Sequence, residues 1–141
     1  MLIGISPLLT PDLLHALASM GHGDEIVLAD ANFPATTLGK RLIHLPGVSA
    51  PAALQAVLSI MPRDSFVEQP ALTMQIVGDN QTQPAAVAEF DVLLQQHGYT
   101  ATAALERQAF YQRAGQAFAV VATGELRTYG NIILKKGVIA A

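Results

Sequence analysis

The sequence predicts an α/β domain in which helices cover a central sheet. Helical and β-favouring segments alternate along the whole chain, which is the pattern of a sheet with helices packed on it. The 141 residues suffice for one self-sufficient core, and no linker, low-complexity tract or internal repeat divides them. We therefore expect a single domain over residues 1–141.

The first helix is predicted over residues 10–20, and both of its ends carry signals. Thr10 is a good N-cap, and Pro11 occupies a position at which a missing N–H costs nothing. Gly21 is expected to end this helix in the left-handed conformation. Residues 25–29 follow and are mostly apolar, which indicates a strand that is buried on both faces.

The same alternation continues to the end of the chain. Pro46 and Gly47 interrupt it after the second strand, and Ser49 is a capping residue for the next helix. Further helices are predicted at residues 34–40, 49–60, 84–96 and 105–114. Further strands are predicted at residues 41–45, 71–77, 118–123 and 131–136.

The composition indicates that subunits associate. Hydrophobic residues make up 51% of the chain and charged residues only 13%, which is few for a soluble monomer. No apolar run approaches the roughly 18 residues that would span a bilayer, so a membrane does not explain this composition. We expect the surplus apolar surface to be buried between the subunits of a homo-oligomer.

Charge and cysteine content exclude further classes of protein. Lysine and arginine total eight and the net charge is −3, so no basic surface for nucleic acid is expected. The chain has no cysteine, which excludes disulfides and thiolate catalysis. Its N-terminus lacks the basic region and cleavage site of a signal peptide, and we predict a cytoplasmic protein.

A histidine between two glycines, His22, lies in the turn between the first helix and the first strand. The glycines let the backbone turn sharply and leave the imidazole uncrowded, so this side chain can exchange a proton near neutral pH. The same turn also fits a helix end whose histidine only favours the helix dipole. Taken alone, the segment favours that structural interpretation.

Two polar segments border predicted strands. Asp30 follows the buried strand, at the strand end where ligands gather in open α/β sheets, and Phe33 offers an apolar face to a ligand. Tyr129, Gly130 and Asn131 precede the last strand and combine a hydrogen-bond donor with a backbone that a ligand can approach. An ordinary turn explains the first segment equally well and the second one better.

Metal and nucleotide sites are not indicated. A site built from His22, Asp24, Glu25 and Asp30 would have one histidine, whereas zinc prefers several nitrogen or sulfur ligands. No glycine pattern for a phosphate or a dinucleotide is present, so we expect no cofactor. Arg107, on a predicted helix, is by itself best explained as a solvated charge or an ion-pair partner.

Taken in order, several runs of this sequence resemble one family. The first runs are GISPLL at residues 4–9, MGHGDEI at 20–26 and ADANFP at 29–34. The later runs are EQP at residues 68–70, ER at 106–107, FY at 110–111, ATGE at 122–125 and YGN at 129–131. Together they are similar to the fucose mutarotase and ribose pyranase family, and the resemblance spans almost the whole chain.

The resemblance implies a three-layer α/β/α domain with a mixed sheet, assembled into rings that are commonly decamers. It also implies a cofactor-free isomerase whose active site lies near a subunit boundary and binds a free monosaccharide. The family's catalytic histidine corresponds to His22 and its sugar-binding aspartate to Asp30. Its last sugar-binding stretch corresponds to Tyr129, Gly130 and Asn131.

Position 107 separates the two branches of this family. The fucose branch carries arginine there and the ribose branch histidine, so Arg107 implies interconversion of the α and β anomers of L-fucose. In that mechanism His22 serves the ring oxygen, and Tyr129 or a water serves the anomeric hydroxyl. Two alternatives stay open: a ribose pyranase, which interconverts ring sizes, and a non-catalytic sugar-binding partner of a transport system.

Overall fold

The computed structural model describes residues 1–141 as a six-stranded sheet with five helices. The strands are β1 (Glu25–Ala29), β2 (Leu42–Leu45), β3 (Ala71–Met74), β4 (Ala103–Leu105), β5 (Ala119–Thr123) and β6 (Ile132–Lys135). The helices are α1 (Pro11–Ser19), α2 (Ala35–Leu38), α3 (Ala50–Leu58), α4 (Ala85–Gln96) and α5 (Arg107–Gln116). None of these helices has the length and hydrophobicity needed to cross a membrane. The predicted α/β class is confirmed.

The sheet is mixed, and one strand gives it that character. Its order is β2-β5-β1-β6-β3-β4, and β6 pairs antiparallel with both β1 and β3, whereas the other neighbours are parallel. Five strands therefore end at the same edge of the sheet, and β6 begins there. This arrangement brings the segment after β1 next to the segment before β6.

Helices cover both faces of the sheet. The side chains of β1 show this, since they alternate between two hydrophobic clusters, one on each face. Ile26 and Leu28 belong to a cluster of 26 buried residues that includes α1, α3 and α4. Val27 and Ala29 belong to a cluster of 11 buried residues that includes residues of α2 and α5. The strand is therefore buried on both faces, as its apolar run predicts.

The end of the first helix differs from the prediction. The cap of α1 is Met20, in an extended conformation, and the left-handed residue is Gly23 (φ 86°) instead of Gly21. The side chain of Met20 is buried in the core, and its extended backbone leads the chain from the helix into the exposed turn of residues 21–24. The prediction for Gly21 was therefore wrong, and the sharp turn occurs after His22.

The start of the last helix also differs. Leu105, predicted as helical, is the final residue of β4, a three-residue strand that the sequence pattern did not indicate. Glu106 is the N-cap of α5, where its carboxylate accepts hydrogen bonds from the N–H groups of Gln108 and Ala109. An acceptor at this position satisfies the free donors of the first turn and places the helix start at Arg107.

Candidate active site

A cavity of about 170 Å³ opens at the edge of the sheet where the five parallel strands end. Its wall combines charged, amide, hydroxyl and aromatic side chains, as is usual for small-molecule sites. The lining residues are Asp30, Asn32, Phe33, Met74, Arg107, Tyr111, Thr128, Tyr129 and Asn131. Four of the six predicted site residues, at positions 30, 107, 129 and 131, are therefore brought together. Gly130 is buried beside them.

Asp30 and Asn131 are both buried, and two hydrogen bonds join them where β1 ends and β6 begins. Asn131 Oδ1 accepts the backbone N–H of Asp30 at 2.8 Å, and Asn131 Nδ2 donates to Asp30 Oδ2 at 2.9 Å. Asp30 Oδ1 also accepts the N–H of Asn32 at 2.9 Å. A carboxylate has about four acceptor positions, so this one is held in place and can still accept hydroxyls from a ligand.

Burial raises the pKa of the Asp30 carboxyl above its ordinary value. The hydrogen bonds from Asn32 and Asn131 favour the ionised form and offset part of this effect. The balance makes Asp30 a stronger base than an exposed aspartate. Its position in the cavity suits it to accept a hydrogen bond from a ligand hydroxyl.

Tyr129 is the only non-glycine residue with a positive φ, at 60°. This conformation is costly for a bulky residue and is typical of functional sites whose surroundings enforce it. The Oη atom of Tyr129 accepts the N–H of Val77 at 3.1 Å. Because that contact uses a lone pair, the phenolic proton is free to be donated into the cavity.

One side of the cavity is aromatic. Phe33 meets Phe110 and Tyr111 edge to face, with ring centroids 5.9 and 5.4 Å apart. Arg107, the first residue of α5, lies one turn before Tyr111, so both side chains reach the same cavity. That helical spacing is the signal that could have identified Tyr111 from the sequence.

His22 lies at the opposite edge of the sheet. It precedes β1 and Asp30 follows it, and a strand of five residues spans about 16 Å. Its Nε2 atom lies 3.2 Å from Oδ1 of Asp64, and its ring packs against Phe66 at 5.1 Å. Within one chain, the predicted catalytic histidine and the predicted binding residues are therefore separate.

Asp64 is a candidate functional residue that the sequence did not reveal. It is buried, and its Oδ1 accepts the N–H of Phe66 at 2.9 Å in addition to the contact with His22. Burial alone would raise its pKa, but these two hydrogen bonds and the attraction of His22 hold the pKa below its ordinary value. Asp64 is therefore an ionised acceptor that orients the imidazole.

These observations define the class: a three-layer α/β protein with a mixed sheet and a polar cavity at its strand ends. A family model described as the RbsD / FucU transport protein family matches residues 3–139. The chain belongs to this family, as its sequence motifs predict.

Individual relatives agree with this assignment. A protein from Homo sapiens named fucose mutarotase is 49% identical over 144 residues, which cover 97% of this chain and 94% of that one. The crystal structure of the fucose mutarotase in complex with L-fucose from Streptococcus pneumoniae has a TM-score of 0.93 and 43% identity, covering 99% of this chain and 100% of that one. The structure of Bacillus subtilis RbsD complexed with D-ribose has a TM-score of 0.76 and 27% identity, covering 99% and 100%.

Proposed function

We propose that this chain is an isomerase that interconverts the α and β anomers of free L-fucose without a cofactor. The observation that carries the proposal is the cavity in which a carboxylate, an amide, a guanidinium and a phenol converge beside an aromatic wall. Relatives named fucose mutarotase match the chain over nearly its full length, which supports the choice of sugar.

The reaction needs only proton transfer. The sugar ring opens to an aldehyde, one bond rotates and the ring closes on the other face. One proton is added to the ring oxygen and another is removed from the anomeric hydroxyl, and each positioned acid or base contributes about 10²- to 10⁴-fold. We assign the ring oxygen to His22, which donates a proton to it. We assign the anomeric hydroxyl to Tyr129, whose phenolic oxygen accepts the proton of that hydroxyl while the phenolic proton passes to water, and ring closure reverses both transfers.

Binding falls to the other groups of the cavity. The carboxylate of Asp30 and the amide of Asn131 are already oriented by their mutual hydrogen bonds, so they hold hydroxyls at little entropic cost. Gly130 supplies the backbone between Tyr129 and Asn131, and the absence of a side chain there leaves room for the buried Glu125. Arg107 stays charged near neutral pH and therefore binds instead of acting as a base.

His22 reaches this cavity from a second copy of the chain. The two groups lie at opposite edges of one subunit, so the His22 edge of one copy must meet the cavity edge of the next. Both edges expose apolar side chains that such a contact would bury, with Phe66 71% exposed at the first and Leu126 83% exposed at the second.

A contact between two different surfaces is heterologous, and repeated copies close into a ring when the rotation allows it. This geometry supports a homo-oligomer of the ring type that the family resemblance implies. The decameric number of subunits and the cytoplasmic location stay predictions.

Asp64 defines the tautomer of His22 in this proposal. An ionised carboxylate only accepts hydrogen bonds, so Nε2 of the imidazole carries the proton that faces Asp64. When the ring is protonated, the other nitrogen, Nδ1, also carries a proton, which it donates to the ring oxygen of the sugar of the neighbouring subunit and takes back when the ring closes.

Magnetisation-exchange NMR on free sugars tests the proposal. We expect catalytic amounts of the protein to accelerate exchange between the anomeric signals of L-fucose, and heat-denatured protein to leave the spontaneous rate unchanged. Binding of L-fucose without accelerated exchange would instead support a non-catalytic sugar-binding role.

A ribose pyranase is the second candidate, because the same ring-opened intermediate connects the pyranose and furanose forms of ribose. The similarity to Bacillus subtilis RbsD complexed with D-ribose favours it, although both identity and TM-score are lower than for the structure with L-fucose. Exchange confined to the ring sizes of D-ribose would establish this alternative.

Replacing Arg107 with histidine is expected to shift selectivity towards D-ribose. Arginine presents a charged fork of five donors, and histidine is shorter and neutral for much of the time, so the contacts to the sugar change. We expect the ratio of kcat/KM for L-fucose to that for D-ribose to fall by roughly tenfold or more. An unchanged ratio would contradict the assignment of Arg107 as the residue that distinguishes the sugars.

A further inference from the structure

An ion pair between the buried Glu125 and the partly exposed Arg127 anchors the segment that carries Tyr129 and Asn131. The side chain of Glu125 is buried, and its two carboxylate oxygens accept from Nε and Nη2 of Arg127 at 2.9 and 3.0 Å. The backbone N–H of Arg127 donates to the same carboxylate at 3.0 Å. Glu125 does not line the cavity, so it acts on a ligand only through its neighbours.

The same carboxylate ties this segment to a helix. Oε2 of Glu125 accepts the N–H of Ala50, the first residue of α3, at 3.3 Å. Nη1 of Arg127 forms an ion pair with the exposed side chain of Glu89 on α4. The segment is thereby fastened to two helices on one face of the domain.

The backbone of Glu125 reaches the other half of the cavity. Its carbonyl accepts the N–H of Ala31, the residue after Asp30, at 2.8 Å. Its own N–H donates to Oγ1 of Thr123, which in turn donates to the carbonyl of Ala29. Glu125 therefore connects the two segments that supply the cavity's polar groups.

The side chain of Glu125 also packs directly beneath the ligand-facing residues. A Cβ atom at position 130 would lie 2.7 Å from Cγ of Glu125, so the absence of a side chain at Gly130 lets the two segments meet. Tyr129, immediately before it, has the positive φ described above. A conformation of this kind persists only where neighbouring contacts enforce it, and the side chain of Glu125 packs against Gly130, the next residue.

The carboxylate is charged throughout the neutral range. The hydrogen bonds from Arg127 outweigh the effect of burial and hold the pKa of Glu125 at about 2. The hydrogen bonds and negative charges of Glu125 and Glu89 likewise raise the pKa of Arg127 above its ordinary value. The pair is thus a permanent, hydrogen-bonded clamp.

We propose that Glu125 is a positioning residue that, clamped by Arg127, holds Tyr129 and Asn131 in the geometry that meets the sugar. The proposal rests on the function proposed above, because the reaction gives this geometry its purpose. It assigns Glu125 no contact with the substrate and no proton transfer.

Glu125→Gln tests this role in the full-length protein. Glutamine keeps the size and can still accept the N–H of Ala50, but it lacks the charge that holds Arg127. We expect kcat for L-fucose exchange to fall roughly 10- to 100-fold and KM to rise in protein that is still folded and assembled, since a displacement of about 1 Å has effects of this size. The control Glu89→Gln removes only the exposed outer partner, and kcat is expected to stay within about twofold.

A spectroscopic readout separates positioning from activity. The chain has three tyrosines, and fluorine NMR of protein labelled with 3-fluorotyrosine reports on each without any sugar. Glu125→Gln is expected to shift or broaden the signal of Tyr129, assigned by its loss in Tyr129→Phe, and to leave that of Tyr99 in place. If the wild type shows no fucose exchange and the Tyr129 signal still moves, the proposed function fails and the positioning role stands.

An unchanged Tyr129 signal, or unchanged kcat and KM in folded Glu125→Gln, would overturn the positioning role. Should that variant not fold, Arg127→Met removes the other half of the clamp while Glu125 keeps its bond to Ala50. The same loss of kcat and the same change at Tyr129 are expected, and wild-type behaviour of Arg127→Met would equally overturn the proposal.

Discussion

Replacing His22 with alanine is expected to lower the rate of L-fucose anomer exchange by roughly 10²- to 10⁴-fold, the range of a positioned acid or base. The side chain of His22 is 43% exposed and its hydrogen bond is to Asp64 alone, so the fold should survive its loss. Exchange NMR measures the rate, and sedimentation with a thermal melt checks that the variant is folded and assembled.

His44 provides the matched control. It is an exposed histidine on β2, away from both the cavity and the His22 turn, and His44→Ala is expected to keep the wild-type rate. Wild-type exchange in a folded His22→Ala oligomer would show that another group moves the proton at the ring oxygen.

Tyr129→Phe is expected to lower kcat by about 10²- to 10³-fold with a smaller change in KM. The substitution removes one oxygen and leaves the ring, so the shape of the cavity and the backbone at position 129 are retained. What is lost is the phenolic hydroxyl, which relays the proton of the anomeric hydroxyl and is positioned by the N–H of Val77. Steady-state exchange rates at several L-fucose concentrations separate kcat from KM.

Tyr99→Phe is the control for that experiment. The hydroxyl of Tyr99 is buried without a hydrogen-bond partner, and its removal should not lower stability or activity. A Tyr129→Phe variant with the kcat of Tyr99→Phe would contradict the role of the phenol, and the second proton would then be served by water.

The elements of this fold are readable from the sequence because their signals are local. Thr10 and Ser49 cap the helices they were expected to cap, and the apolar run of residues 25–29 forms the doubly buried strand. The pairing of β1 with β6 joins segments that are far apart in the sequence, so no local signal indicates it. Asp30 and Asn131 are 101 positions apart, and only the antiparallel β6 brings them together.

The site was predicted in part for the same reason. Its members could be named from ordered motifs, but their grouping depends on the sheet, which separates His22 from Asp30 by the length of β1. Asp64 lies 42 positions from His22 in a loop without a distinguishing pattern, so no signal pointed to it. Glu125 belonged to a recognised run, yet its burial and its bond to Arg127 become visible only in three dimensions.

A subunit-mixing experiment tests most directly whether His22 of one copy and the cavity of another form the active site. His22→Ala and Tyr129→Phe, each nearly inactive alone, are refolded or expressed together, and mixed oligomers are verified by native mass spectrometry. In a random mixture about one site in four combines an intact His22 edge with an intact cavity, so exchange should recover to about a quarter of the wild-type rate. Mixed oligomers as inactive as their parents would contradict a shared site.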